Sequence, residues 1–190
     1  WGNDFRPEYR NISSLRTLNK DLSFIALTAT ATAEVVEDIQ EQLSFKESNK
    51  IQKSFIRNNI HYSVINVISK EKVLEKLLSN ECSIIYVRNR KKTKELSKLL
   101  NSKNYKTDYY HAGLDFRERS KKQNRWINNE FDTMIATNAF GMGIDKSDVK
   151  TVIHYDLPDT IESFYQESGR AGRNGKVSYS IVLKDDLDIE

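Results

Sequence analysis

Along most of this chain, short apolar runs alternate with amphipathic stretches, the pattern of βαβ units feeding a mainly parallel sheet. The spacing predicts strands over 24–27, 60–66, 83–87, 107–110, 134–137, 152–155 and 178–183. Helices are predicted over 32–43, 70–78, 91–101, 115–129 and 159–172. Several strand runs are apolar throughout rather than alternating, as expected where helices cover both faces of a sheet. Asp115 with Glu118 three residues on reads as a capping box, and Pro158-Asp159-Thr160 as a second helix entry. The fold class that follows is α/β.

A polar segment at 45–53, rich in Lys, Ser, Asn and Gln, predicts a boundary. Ahead of it stands only one clear strand, too little for a sheet of its own. Residues 1–49 are therefore expected to be the C-terminal part of one domain, and 50–190 a complete α/β domain. With 38% hydrophobic and 30% charged residues, the chain can bury a core and falls outside the disordered class. The longest apolar runs, such as 84–87, fall far short of a membrane span, and no basic-then-apolar leader opens the sequence. Neither a membrane partner nor export is expected. A single cysteine, Cys82, excludes an internal disulfide and fits a reducing compartment. With only His61, His111 and His154 beside it, no zinc site or other metal site is expected within the chain.

The net charge of +3 is unevenly spread: between Arg88 and Lys106, eight basic residues face one acidic residue, Glu95. A second cluster holds Arg117, Arg119, Lys121, Lys122 and Arg125 against Glu118. Such stripes meet phosphate backbones, but a solvated helix face has the same composition, and charge alone does not choose between them.

The most informative stretch is Pro158 to Gly175, P-D-T-I-E-S-F-Y-Q-E-S-G-R-A-G-R-N-G. On a helix of about 3.6 residues per turn, Ile161, Phe164, Tyr165 and Ser168 share one side. Gln166, Gly169, Arg170 and Arg173 recur at helical spacing on nearly the opposite side. One face can bury itself while the other presents an amide and two guanidiniums. Gly169, Gly172 and Gly175 would keep the space beside the arginines open, at about 1 kcal/mol of helix stability for each interior position. Paired guanidinium forks suit a polyphosphate, because they match its oxygens bidentately and stay charged. A glycine-frayed, solvated helix end is the plainer reading; Gln166 on the same face and the glycine spacing favour phosphate.

Q-E-S-G-R-A-G-R-N-G resembles motif VI of superfamily 2 helicases in the form used by the RecQ family of DNA helicases. The resemblance implies a RecA-like fold of the P-loop NTPase type. It makes Arg173 the arginine finger directed at the γ-phosphate of ATP, with Arg170 beside it and Gln166 on the nucleotide. Such a finger is worth roughly 10³ to 10⁵ in rate.

Further segments extend the resemblance. W-G-N-D-F-R-P-E-Y (1–9) is similar to the aromatic-rich loop that senses DNA in this family, which implies DNA contacts for Trp1, Phe5 and Arg6; Asn3 stands where histidine is usual. A-L-T-A-T-A-T (26–32) resembles motif III, with Thr32 also a plausible N-cap residue. S-F-I-R-N-N-I (54–60) resembles the segment that starts the second lobe. I-I-Y-V-R-N-R (84–90) resembles motif IV and implies a backbone contact for Arg90, with Asn89 where serine is usual. Y-Y-H-A-G-L (109–114) places His111 either on DNA or in a turn. T-N-A-F-G-M-G-I-D-K (137–146) resembles motif V, implying that Thr137 and Asn138 face the DNA backbone while Gly143 and Asp145 face the nucleotide. It also sits where a buried strand leaves the sheet, the edge at which open α/β sheets bind ligands.

The resemblance implies an ATP-dependent 3′–5′ DNA helicase acting on single-stranded and duplex-junction DNA in recombination and repair. Its location would be the bacterial cytoplasm with the nucleoid, or the eukaryotic nucleus. The chain carries no G-x-x-x-x-G-K-[ST] and no D-E-x-H, so it is expected to be inactive alone. P-loop and Mg²⁺ ligands would come from the first RecA-like lobe. An RNA helicase of the same superfamily and a non-catalytic nucleic-acid-binding adaptor are the alternatives.

Overall fold

The computed structural model describes residues 7–28, 31–45, 47, 50–54, 56–141 and 144–189. The chain divides into two compact units, Trp1–Ile56 and Arg57–Glu190.

Unit 1 holds a 3₁₀ helix, Pro7–Thr17, and the helix α1, Ala33–Gln42. Thr32 caps α1, its hydroxyl accepting from the Val35 N–H at 3.4 Å. The strand expected over 24–27 does not form; Ile25 and Leu27 are 84% and 90% exposed. A strand needs a neighbour for its N–H and C=O groups, and the described residues of this unit provide none.

Unit 2 alternates strand and helix as its sequence predicts. Its strands are β1 (Ile60–Asn66), β2 (Ser83–Tyr86), β3 (Thr107–Tyr110), β4 (Thr133–Ala136), β5 (Thr151–His154) and β6 (Ser178–Lys184). Its helices are α2 (Lys70–Leu77), α3 (Arg90–Ser102), α4 (Phe116–Ile127) and α5 (Ile161–Ser168). The six strands form one sheet in the order β1-β6-β5-β2-β4-β3, with every pairing parallel. Ser69, Asn89, Asp115 and Thr160 cap α2 to α5, each side chain accepting a backbone N–H of the first turn. Such caps contribute about 1 kcal/mol each.

Helices cover both faces, so successive residues of β2 enter different cores. Ile84 and Tyr86 pack with Trp126, Met134, Phe140 and Val152. Ile85 and Val87 pack with Leu74, Leu96, Leu100, Ile153 and Leu183. That is why β2 and β4 read as unbroken apolar runs. The acidic segment after β6 folds back on α2: Lys70, only 5% exposed, places its Nζ 2.8 and 3.0 Å from the Asp188 carboxylate oxygens. A charge buried that deeply needs such a partner.

A second polar tie joins α2, α3 and β5. The Tyr155 hydroxyl donates to Glu71 at 2.5 Å, and Lys92 Nζ lies 3.3 Å from the same carboxylate oxygen. The Tyr155 hydrogen bond holds the Glu71 carboxyl below its usual range, outweighing the opposite push from burial. A carboxyl depressed by folding contributes stability above its unfolded pKa of about 4.3 and loses it as pH falls through the folded value. Tyr155→Phe should therefore lower Tm most at neutral pH, with the gap to the unaltered protein narrowing as pH falls below the unfolded pKa of about 4.3; a pH series of thermal melts reads this. Leu100→Ala, emptying a site that is 1% exposed, should cost about 2–5 kcal/mol, measured as a lower urea midpoint.

Candidate functional site

Because all six strands are parallel, the segments leaving β2, β3, β4 and β5 emerge on one edge of the sheet. The connections leaving the neighbouring strands β2 and β5 run to opposite sides of the sheet, one toward β3 and the other toward β6. Open α/β sheets bind ligands at such a switch point. A cleft of ≈ 230 Å³ lies here, lined by Arg88, Asn138, Asp156, Ser163 and Glu167 among others.

The arginines reach this edge by a route that periodicity does not predict. Helix α5 stops at Ser168, not at 172, and Gly169 is its C-cap. The following residues run in turns, with Gly172 at φ +61° and Gly175 at φ +79°. The loop docks on the segment after motif V, the Gly172 N–H donating to Val149 O at 2.9 Å and the Asn174 N–H to Ser147 O at 3.0 Å. Those bonds draw the backbone away from the helix axis. Arg170 and Arg173 thus project from a loop instead of sharing a helical face with Gln166, which lies exposed on α5. The buried side of α5 is only partly the expected one: Ser168 is buried and Phe164 half-buried, but Ile161 and Tyr165 are 71% and 50% exposed and Glu167 is buried instead. The Ser168 and Ser180 hydroxyls, 2.7 Å apart, and the 3.1 Å approach of Glu167 Oε2 to His154 Nε2 turn the end of the helix, rather than Ile161 and Tyr165, toward the sheet. The His154 contact lies off the line of an aligned hydrogen bond.

Arg170 Nη1 donates to Gly141 O at 2.6 Å, and its Nε is buried without a partner among the described residues. Gly141 stands at φ +137°, and a Cβ there would fall on the Arg170 guanidinium. The glycine that makes room for this arginine is therefore Gly141, in motif V, and not Gly169, Gly172 or Gly175. Proximity of this kind leaves no local signal in the sequence. Arg173 Nη1 donates to Asp145 Oδ1 at 2.8 Å and to Ile144 O at 3.1 Å. Two expected nucleotide residues, Arg173 and Asp145, are thus in contact; Gly143 lies outside the described residues.

Beneath the loops, the Tyr86 hydroxyl donates to Phe140 O at 3.1 Å and its ring stacks on His154, with centroids 5.8 Å apart. Burial pushes the Tyr86 phenol far above its ordinary range, with Arg170 pulling the other way, so it stays a donor. Arg57 and Asn59 also reach the loop from the start of unit 2: Arg57 Nη2 donates to Gly172 O at 2.9 Å, and Asn59 Nδ2 donates to the same oxygen at 2.8 Å. Both residues stand in the S-F-I-R-N-N-I segment, which carried no site assignment.

The expected DNA-facing residues divide. Arg90 opens α3, and its guanidinium lies with the His111 imidazole beside Gly113: a Cβ there would stand 3.0 Å from Arg90 Nη1 and 3.3 Å from His111 Nδ1. Burial first, and Arg90 second, hold the His111 imidazole below its ordinary range. Thr137 is buried at 6% exposure and accepts the Phe140 N–H at its carbonyl, at 2.9 Å, while Asn138 beside it is exposed. Trp1, Phe5 and Arg6 lie outside the described residues. The basic stripes are partly neutralised: Lys122 and Arg125 pair with Asp108, and Lys103 with Glu75. Lys91, Lys94, Lys98, Arg117 and Lys121 are exposed. Cys82, its thiol pushed up to about 12 by burial, is no nucleophile. Among the described residues no group of three or more His, Cys, Asp and Glu could hold a metal ion.

Gly141→Ala should both strain a backbone at positive φ and displace the Arg170 guanidinium. The expected loss is about 1–3 kcal/mol, read as a lower denaturant midpoint than that of Gly175→Ala, whose added methyl meets nothing within 4 Å.

The family model for the helicase conserved C-terminal domain matches residues 69–175. The chain is 44% identical over 193 residues to the RecQ-like DNA helicase blm-1 of Caenorhabditis elegans, covering 96% of this chain and 19% of that protein. It is 40% identical over 193 residues to the ATP-dependent DNA helicase RecQ of Bacillus subtilis, covering 100% of this chain and 33% of that one. The chain thus spans a third or less of the length of these two curated relatives. In fold it is similar to Dbp5 of S. cerevisiae, solved bound to RNA and ADP BeF3. The TM-score is 0.75 at 23% identity, over 91% of this chain and 48% of that one. The chain belongs to the helicase conserved C-terminal domain family, with a RecA-like fold, and within superfamily 2 to the RecQ type.

Proposed function

We propose that this chain is part of an ATP-dependent DNA helicase that translocates 3′ to 5′, with residues 1–49 ending its first RecA-like lobe and 50–190 forming the second. The observation that carries the proposal is the arginine loop at the C-terminal edge of a parallel sheet, where Arg173 pairs with Asp145 and Arg170 with the Gly141 carbonyl. The names of the curated relatives, ATP-dependent and RecQ-like DNA helicases, point the same way.

ATP would lie against this edge, facing Gln166, Gly143, Asp145, Arg170 and Arg173. The P-loop lysine and the Mg²⁺ ligands belong to the first lobe, since this chain carries neither motif. Transfer of a γ-phosphoryl group to water develops charge on its oxygens, and a guanidinium placed there lowers the barrier electrostatically. Arg173 takes that role; Asp145 holds it in readiness and can also accept from a ribose hydroxyl. DNA would run over the same edge, its phosphates meeting Arg90, Asn138 and His111, with Thr137 shaping the turn that presents Asn138. Trp1, Phe5 and Arg6 would add stacking and a phosphate contact. Contacts of this kind are salt-dependent and largely blind to base sequence. Acting on single-stranded and junction DNA, the protein would work in the bacterial nucleoid region or the eukaryotic nucleus. Among the described residues no helix is long and apolar enough to cross a membrane.

In the full-length gene product, Arg173→Ala is expected to lower DNA-stimulated ATP turnover by about 10³-fold or more while ATP binding largely survives. Single-stranded DNA should stimulate turnover more than RNA does. Stimulation by RNA alone would replace this reading with an RNA helicase, and no stimulated turnover at all would replace it with a non-catalytic adaptor.

A further inference from the structure

Between the two arginines, the Ala171 N–H still bonds back to Ser168 O at 3.0 Å, but the Gly172 N–H leaves the helical pattern for Val149 O at 2.9 Å, so from there tertiary bonds help to set where the loop lies. Three donors converge on the Gly172 carbonyl: the Gly175 N–H at 3.0 Å, which closes a turn within the loop, and two side chains from outside it, Arg57 Nη2 at 2.9 Å and Asn59 Nδ2 at 2.8 Å. The two side chains thus tie a local turn to the start of unit 2. Arg57 Nη2 also approaches Ala171 O at 3.4 Å, and Asn59 Nδ2 donates to Lys176 O at 2.9 Å. The Asn59 carbonyl in turn accepts the Ser178 N–H at 2.8 Å, so Asn59 grips the loop and the first residue of β6 together. Gly172 is at φ +61°, and a Cβ there would collide with the Asn59 amide and stand 2.8 Å from Ser178 Oγ. A glycine forced by close approach, under a carbonyl held by two side chains, describes a backbone pinned at one point.

We propose that Arg57 and Asn59 are positioning residues for Arg170 and Arg173, a clamp that fixes the arginine loop so that both guanidiniums meet phosphate; this rests on the motor reading above. The pinned peptide is the midpoint between the arginines, so its displacement moves both. Arg57 adds a charge-assisted bond from a partly buried guanidinium, stronger than a neutral one. A displacement of about 1 Å can cost about 10²-fold in rate without touching the reacting atoms. These two residues also open unit 2, so the chain enters the unit at the clamp.

The test uses the full-length gene product as unaltered protein, Asn59→Ala, Arg173→Ala and the double variant. DNA-stimulated ATP turnover is read together with amide hydrogen exchange. Asn59→Ala should lower kcat by about 10- to 100-fold with little change in KM for ATP, and should lower it by clearly less in the Arg173→Ala background, where only Arg170 is left to misplace. The amides of Gly172, Asn174 and Ser178 should exchange at least about 10-fold faster while those of β2 and β4 stay protected. Arg57→Lys should retain more turnover than Arg57→Ala. Unchanged kcat and unchanged loop exchange in Asn59→Ala would sink the clamp and leave the motor reading intact. Losses that add to those of Arg173→Ala, with β2 and β4 also exchanging faster, would make Asn59 a general stability residue and sink the clamp equally. If the unaltered protein shows no DNA-stimulated turnover, the motor reading fails and the positioning role fails with it, whatever the exchange shows.

Discussion

The site depends on the lodging of β2 between β4 and β5, with Tyr86 as its last residue. Parallel strands release their connections on one edge, and the register places Tyr86 opposite Ala136 on one side and His154 on the other. The Tyr86 hydroxyl then fixes the Phe140 carbonyl while its ring lies on His154. One buried aromatic residue thereby ties together the exits of three strands. The next residue after Phe140 is Gly141, whose carbonyl holds Arg170. Any change that loosens β2 therefore reaches the arginines within a few bonds.

Much of the unit 2 fold was legible because its signals are local. The apolar runs at 83–87 and 134–137 read as strands covered on both faces, and Ile84 and Ile85 do enter opposite cores. Asp115 and Thr160 announced their helices by chemistry that acts within three residues. The failures have one physical source, which is that tertiary partners are silent in a local reading. Residues 24–27 have strand-like composition and no neighbour to pair with. Helical periodicity carries α5 on to residue 172, but the Val149 and Ser147 carbonyls draw the backbone away after Ser168. Ile161 and Tyr165 look like core residues and are exposed, because Ser168 and Glu167 find polar partners beneath the helix.

The candidate site was legible by motif more than by physics. Arg170, Arg173 and Asp145 were singled out from their pattern, and two of them meet directly. Gly141, Arg57 and Asn59 carried no role because each acts across a long sequence separation, Asn59 on Gly172 and Gly141 on Arg170. Charge counting was the weakest guide. Lys122 and Arg125 look like part of a phosphate track and spend their charge on Asp108, a residue outside their own cluster. Lys94 and Lys98 lie on the exposed side of α3, where Lys91 pairs with Glu95, and the other side is fixed by the burial of Leu96 and Leu100.

The two arginines are held in different ways, and the difference divides the work between them in the proposed motor. Arg170 is partly enclosed, bonded at 2.6 Å to a backbone carbonyl and wrapped by a glycine that leaves no space for a side chain. Removing it from that seat would strand a charge beside a buried Tyr86. Arg173 is paired with Asp145, a side chain that is 89% exposed. An ion pair so open to water is worth little, about 0–1 kcal/mol. A phosphate arriving at the sheet edge can therefore take the Arg173 guanidinium from Asp145 at small cost, whereas Arg170 would stay in place. The same division explains why the clamp at Gly172 lies between them. A fixed arginine and an exchangeable one can act on one ligand only if the peptide joining them does not move.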